Sequence, residues 1–501
     1  MLARAHAFTN DGLHARHVTV EVDVRPGLPS FAIVGLADAA IRESRERVRA
    51  AILNSGFEFP PRRITANLAP ADLPKAGPGL DLALACALLA ATGQISQEGL
   101  AGHALLGELA LDGTVRSAAG TLGVAQAASR AGLHTLAVAP PRAHEAALVD
   151  GLRVAPVSCL RSATRVLGGG EPDRMPLRGA QAAQAPRRDE PDLRDVRGQH
   201  HAVRALLIAA AGHHNLLLSG PPGTGKTMLA LRLPSILPAL SSAEAVEVTR
   251  IHSYGGSRVE GLAGARPFRA PHHSITAAGL IGGARTGAIG EAVLAHNGVL
   301  FLDELSEFAR STLQALRQPL EEGRVAIARA RHSAVYPARF MLVAATNPCP
   351  CGHAGSERCT CSEMELARQR RRLSGPLLDR IDLVAHMREP GSTGADGEPL
   401  MSSASAREQV LAARERQSAR LTGEPSRLNG QLASAPLRRR LGADARAEQM
   451  VRRALEAGLL SARGAHRVMR VARTIADLDG SERVRESDVG AALALRPETA
   501  L

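Results

Sequence analysis

Apolar and polar positions alternate with a period of two along His17–Val24 and Phe31–Val34, then change to helical spacing from Ala39 to Asn54. Two strands feeding an amphipathic helix are expected there. Ile64–Leu68, Leu80–Ala91, His103–Val115 around the turn Asp112-Gly113, and Thr135–Val138 continue the pattern, so residues 1–168 are expected to form one α/β domain.

Between Gly168 and Asp192 the periodicity gives way to Gly, Pro, Ala and charge, and residues 169–191 read as a linker. A second domain is expected over residues 192–390. Its order is helix, buried strand Asn215–Ser219, glycine-rich turn, helix Met228–Leu237, then strands Val299–Leu302 and Phe340–Ala345. That order implies a parallel sheet with its active edge at the strand C-termini. Residues 391–406 read as a flexible insert, and Arg407–Leu421 and Glu448–Leu478 carry helical spacing, so residues 407–501 are expected to be a helical lid.

Chemistry enters at the glycine-rich turn. Gly220, Pro221, Pro222, Gly223, Thr224, Gly225, Lys226 and Thr227 fit GxxxxGK[ST] directly after an apolar strand and before a helical run, which is the context the motif requires. Glycines let backbone N–H groups turn inward around phosphates, Lys226 reaches the β and γ oxygens, and the Thr227 hydroxyl ligates Mg²⁺. The run Gly298–Glu304 ends a buried strand in two carboxylates: Asp303 to hold the metal, Glu304 to polarise the attacking water. Phe340–Asn347 ends in an amide at the same edge; Asn347 either orients that water or forms a turn. The pair of motifs implies a Mg²⁺-dependent ATPase.

Composition sharpens this in one respect. Lys75 and Lys226 are the only lysines, so the charge of +12 and the pI near 10.6 come almost wholly from arginine. A lysine kept in a phosphate loop against that bias points to a need for a compact ammonium there. The basic balance favours a polyanionic partner such as nucleic acid. Arg266, Arg269 and Arg285 in the insertion Ser253–Gly290, and Arg324, Arg329 and Arg331 in Glu321–His332, are candidate phosphate contacts, or else solvated or interface charges. With no Trp and only Tyr254 and Tyr336, base stacking is disfavoured against backbone tracking. No apolar run approaches a membrane span, and MLARAHAFTNDG lacks the order of a signal peptide, so a cytoplasmic, reducing location and no membrane partner are expected.

Four of the six cysteines, Cys349, Cys351, Cys359 and Cys361, fall in one short segment with His353 among them. They read either as thiolate ligands of a structural Zn²⁺ or as reduced free thiols; the spacing is CxC rather than CxxC. Cys86 and Cys159 sit in apolar surroundings typical of buried thiols. His272 and His273 are assigned to the insertion rather than to this cluster.

GPPGTGKT, GVLFLDE, Ala345-Thr-Asn347, SGPLLDRID and SARGAHRVMRVARTIADL together resemble the magnesium-chelatase-like AAA+ ATPases of the ComM/YifB family along essentially the whole chain. Arg266–Ser274 and Ala295–Phe308 carry patterns particular to that group. The resemblance implies that Asn347 is sensor 1, Arg380 an arginine finger acting on a neighbour's ATP, and Arg463 sensor 2, with Arg372 and Arg467 as fallback choices. A finger in trans implies a homo-hexameric ring, with the inserts toward its pore. It further implies a motor on single-stranded or branched DNA, one that drives branch migration in natural transformation beside recombination proteins. A remodeller of a protein partner and a nucleotide-gated scaffold are the alternatives.

The first domain resembles the proteolytic domain of Lon. Pro74–Asp81 and Gly113–Val124 stand where Lon carries its nucleophile and its lysine, and Gly79 and Leu122 occupy those two positions. A protease fold without its dyad, used for assembly, partner contact or substrate guidance, is implied.

Overall fold

The computed structural model describes all residues except 76, 175–190, 258, 260, 284–287, 329–332, 355–356, 374–376, 389–399, 425, 433–439 and 497–501. It divides into two units: residues 1–185 with 241–264, and residues 186–240 with 265–501.

In the first unit nine strands are described: β1 Leu2–Asp11, β2 His14–Arg25, β3 Ser30–Val34, β4 Arg63–Ala69, β5 His103–Leu106, β6 Glu108–Leu109, β7 Val115–Arg116, β8 Thr135–Val138 and β9 Arg153–Pro156. Seven form one mixed sheet in the order β3-β4-β2-β1-β5-β8-β9. β1 pairs antiparallel with β2 from Leu2↔Asp23 to Asp11↔His14, and a glycine at φ +60°, Gly12, closes the hairpin. Strands β5, β8 and β9 then add in parallel. The helix Ala39–Asn54 starts at Asp38, whose side chain accepts from the Ile41 N–H. Helix Asp81–Ala91 is buried along its whole length. Its one charge, Asp81, accepts from Arg47 Nε at 2.7 Å and from the Ser44 hydroxyl, which satisfies a carboxylate that burial would otherwise penalise. Lys75 is equally enclosed and donates to the Pro70 carbonyl.

Residues 241–264 belong to this unit although the sequence reading placed them within a continuous second domain. Their helix, Ser242–Tyr254, opens with a capping box in which Ser241 and Glu244 exchange hydrogen bonds. Buried Glu145 accepts from Ser253 Oγ, from Leu122 N–H at 2.7 Å and from Arg142 Nη1 at 3.1 Å. Arg142 also donates to the Ser257 and Gly256 carbonyls at 2.6 and 3.0 Å, so this segment is held by charge-assisted bonds out of water.

The second unit is built on a parallel sheet. Its strands are β10 Leu216–Ser219, β11 Phe268–Arg269, β12 Val299–Leu302, the hairpin pair β13 Arg324–Ala328 and β14 Ser333–Pro337, β15 Met341–Thr346, and β16 Leu383–His386. The sheet order is β11-β12-β15-β10-β16. All residues of β10, β12 and β15 are buried, the uninterrupted apolar run expected of strands covered on both faces. The expected helix Met228–Leu237 is instead two short ones, Lys226–Ala230 and Leu233–Ile236, because Pro234 has no N–H to continue the ladder.

Helices Ser403–Arg420, Ala445–Glu456, Ala462–Leu478 and Glu486–Ala494 contribute to the same hydrophobic core as β10, β12 and β15. The first begins inside the segment expected to be an insert. Between them Asp477, buried, pairs with Arg420 at 2.7 Å and Arg473 at 3.0 Å, a fixed ionic join in the helical layer. Among the described residues no helix is long and apolar enough to cross a membrane.

Candidate nucleotide site

The C-terminal ends of three neighbouring strands carry the candidate residues. β10 runs into the loop Gly220–Thr227, β12 into Asp303 and Glu304, and β15 into Asn347; parallel register sets Ser219 opposite Thr346 and Leu302 opposite Ala344. The loop is possible only with glycine at particular points. A Cβ on Gly220 would lie 2.5 Å from the Met387 carbonyl oxygen, and Gly223 and Gly225 hold φ of +77° and +85°.

Lys226 Nζ donates to the carbonyls of Gly220 and Pro221, each at 2.7 Å, and to Asn347 Oδ1 at 3.0 Å. Burial lowers its pKa, and the Asp303 charge opposes that shift. Thr227 Oγ1 donates to Asp303 Oδ2 at 2.7 Å, while Asp303 Oδ1 accepts the Glu304 N–H at 3.0 Å. A hydroxyl and a carboxylate meeting at one point are hard oxygen donors that fit Mg²⁺ carried by a nucleotide. Thr224 Oγ1 donates to the Pro221 carbonyl at 2.9 Å, closing the loop on itself.

Glu304 is a non-glycine residue at φ +52°, and its side chain remains 60% exposed. His273 Nδ1 lies 3.3 Å from its Oε2. The sequence reading left His273 in the insertion; the signal available was its place in RPFRAPHHS, but nothing in that spacing says which strand end it faces.

The remaining candidates fall elsewhere. Arg380 closes the short turn Leu378–Arg380 before β16 and pairs with Glu321. Arg463 is exposed on the first turn of Ala462–Leu478, a helix capped by Ser461. One turn on, Arg467 donates to the Asp379 carbonyl and lies 3.7 Å from Asp382. The side chain of Arg372 lies outside the described residues.

Among the six arginines proposed for phosphate, Arg266 donates to the carbonyls of Pro238 and Asn297 at 2.7 Å each, and Arg269 forms a two-point pair with Glu291 at 2.6 and 2.8 Å. Both side chains are engaged within the unit, Arg266 by loop carbonyls and Arg269 on β11 by a partly buried carboxylate. Arg324 pairs with exposed Glu322 at 2.9 Å at the base of the β13–β14 hairpin. Arg285, Arg329 and Arg331 lie outside the described residues.

Immediately beyond Asn347 the four cysteines converge. Their sulfurs all lie within 4.8 Å of one another, with Cys349 buried and the others partly so. His353 is not among these ligand atoms.

Comparison with known proteins matches this chain to three family descriptions: "Subunit ChlI of Mg-chelatase" over residues 20–142, "Magnesium chelatase, subunit ChlI" over 192–393, and "Magnesium chelatase, subunit ChlI C-terminal" over 400–496. A Mycobacterium tuberculosis protein, Rv2897c, is 44% identical over 99% of this chain and 98% of its own length. YifB of Escherichia coli K12 is 42% identical, and the competence protein ComM of Haemophilus influenzae Rd 41% identical, each over 99% of this chain and 97% of its own. Matched along its whole length by these relatives, and carrying a mixed α/β architecture with a parallel-sheet unit of the AAA+ kind, the chain belongs to the magnesium-chelatase-like ComM/YifB family.

Proposed function

We propose that this protein is an ATPase that uses hydrolysis of Mg²⁺-ATP to move along branched or single-stranded DNA as a homo-hexamer. The observation that carries the ATPase reading is the convergence of Lys226 on Asn347 and of Thr227 on Asp303, with the Glu304 carboxylate beside them. The loop carbonyls of Gly220 and Pro221 accept from Lys226, and phosphate oxygens of ATP would take their place. Thr227 and Asp303 would hold the nucleotide's Mg²⁺, which would neutralise charge on the phosphates. Glu304 takes a proton from the water that attacks the γ-phosphorus as the bond to the ADP oxygen breaks; Asn347 orients that water and His273 aims the carboxylate.

Arg380 supplies positive charge to a neighbour's site in the ring, and Arg463 serves the nucleotide from the helical layer; both roles rest on the family resemblance. The Haemophilus relative's description as a competence protein, with the charge of +12, supports DNA as the track and recombination proteins as partners. The first unit reads as a Lon-like fold in which Gly79 and Leu122 leave no nucleophile and no base, and which serves assembly or substrate guidance in the cytoplasm.

A second reading, a motor that remodels a protein partner, is favoured by the internal use of Arg266 and Arg269. Steady-state ATPase rates without DNA, and with single-stranded, duplex and junction DNA, separate the two. About tenfold stimulation by DNA, falling as salt rises, is expected for the DNA motor; a rate indifferent to DNA favours the protein partner. Lys226→Ala is expected to abolish nucleotide binding. Glu304→Gln keeps binding and lowers turnover by at least about a hundredfold, and normal turnover in that variant would remove Glu304 from the mechanism.

A further inference from the structure

The segment between Asn347 and the helix Glu363–Leu373 has little apolar material to hold it. Among its described residues only Cys349 and Gly352 are buried. Its described residues are nevertheless held in place by hydrogen bonds. Gly352 N–H donates to the Cys349 carbonyl at 2.9 Å with Gly352 at φ +85°, and Ser362 and Glu365 exchange hydrogen bonds at the start of the following helix.

The sulfurs are what meet inside it. Cys349 lies 3.3 Å from Cys351 and 3.9 Å from Cys359, and Cys351 lies 3.7 Å from Cys359. Four sulfurs placed tetrahedrally about 2.3 Å from a zinc ion stand roughly 3.8 Å apart, whereas a disulfide would need about 2.05 Å. Two backbone N–H groups also point at sulfur: Ala354 to Cys349 at 3.1 Å and Cys351 to Cys361 at 3.4 Å. Such donors stabilise thiolate charge, of which a four-sulfur site carries an excess over a divalent ion.

We propose that Cys349, Cys351, Cys359 and Cys361 form a tetrathiolate Zn²⁺ site that braces the nucleotide loop. All-sulfur tetrahedral ligation leaves no open position for water, so the metal is structural. Its leverage comes from two neighbours. A Cβ on Gly352 would lie 2.3 Å from Pro222 Cδ, so the cysteine segment rests directly on the Gly220–Thr227 loop. On its other side, Asn347 sits two residues before Cys349, and the buried Gln369 donates back to the Asn347 carbonyl at 3.4 Å. Both ends of the excursion thus close on the residue that Lys226 touches. Binding the ion fixes a segment that would otherwise lose order, and with it one wall of the nucleotide site.

The bracing step rests on the nucleotide reading above; the metal site does not. Metal content of the reduced full-length protein by mass spectrometry, together with a Co²⁺ titration read by the d–d bands of tetrahedral thiolate ligation, tests the site itself. About one zinc per chain is expected, with Co²⁺ bound at the same stoichiometry in stripped protein. Iron in place of zinc, or a reduced chain that takes up neither zinc nor Co²⁺, overturns the proposal. So do disulfides within the quartet of the protein as isolated.

Fluorescent ATP binding then tests the brace. Cys351→Ser with Cys359→Ser is expected to lose the zinc and bind nucleotide about tenfold more weakly. If that variant does not fold, Gly352→Ala gives the same answer: it retains zinc, and the added methyl against Pro222 weakens nucleotide binding by a similar factor. Unchanged nucleotide affinity in Gly352→Ala overturns the brace. A wild-type protein that holds zinc but binds no ATP would instead overturn the nucleotide reading and leave the zinc site standing.

Discussion

At the scale of single residues the carboxylate proposed as the base, Glu304, is held in an unusual way. A glutamate at φ +52° is disfavoured by roughly 1–2 kcal/mol, a strain borne at the point where β12 ends and Asp303 and Glu304 must diverge. The divergence gives each acid its own task. Asp303 turns to Thr227, and Glu304, largely in solvent, turns to His273. In the proposed mechanism His273 is a positioning residue whose effect passes through its 3.3 Å contact with Glu304. His273→Gln is therefore expected to leave ATP affinity unchanged and to lower kcat about tenfold, the scale of a mispositioned general base. Parallel measurement of kcat and of nucleotide affinity checks it, and a variant with affinity and rate both intact would make the pair an incidental surface contact. Asp303 and Glu304 were legible as candidates because the acidic pair ends an apolar run downstream of a phosphate-loop motif. His273 was not, because its partner lies in another strand's loop.

Among the elements, strong periodicity goes with well-marked bounds. Ala39–Asn54, Thr135–Val138 and Val299–Leu302 have the bounds expected of them. β1 carries no such signal although it lies at the centre of its sheet: its inward residues Ala3, Ala5 and Ala7 are too small to give an apolar pulse. The helix His200–Gly212 shows a different kind of control. It ends at His213 in the left-handed conformation at φ +58°, just before β10 and the phosphate loop. Burial, with Arg414 and Arg266 nearby, lowers the His213 pKa to about 3. An unfolded chain takes up this proton below about pH 6.5 and the folded one does not, so the folded state loses stability as pH falls from about 6.5 toward 3. Between pH 7.5 and 5 the loss attributable to His213 is about 1–2 kcal/mol, allowing for its partial exposure. Urea midpoints of wild type and His213→Asn at the two pH values test this. Asparagine tolerates the left-handed position, and the variant is expected to lose less; equal losses would assign the acid sensitivity to other groups.

On the scale of the whole molecule, the chain does not keep its units in sequence order. It passes from the first unit to the second at residues 185–186, returns at 240–241, and leaves again at 264–265. The returning segment is anchored inside the first unit by Glu145, Ser253 and Arg142, all drawn from water. Sequence could not reveal this excursion, because the partners of residues 253–257 lie more than a hundred residues upstream. The consequence is mechanical: the linker is not the sole tie between the units. A protease site placed between residues 175 and 190 lets the linker be cut while residues 241–264 stay covalently part of the C-terminal fragment. Both fragments are expected to co-elute in native size-exclusion chromatography and to separate only in denaturant. Glu145→Ala, which leaves Arg142 buried without its carboxylate and removes the acceptor of Ser253, is expected to weaken that association by about 3 kcal/mol and to release the N-terminal fragment at lower denaturant. Fragments that part under native conditions after the cut would mean that residues 241–264 do not hold the first unit in solution. Movements of the nucleotide unit would then reach the first unit through the linker alone.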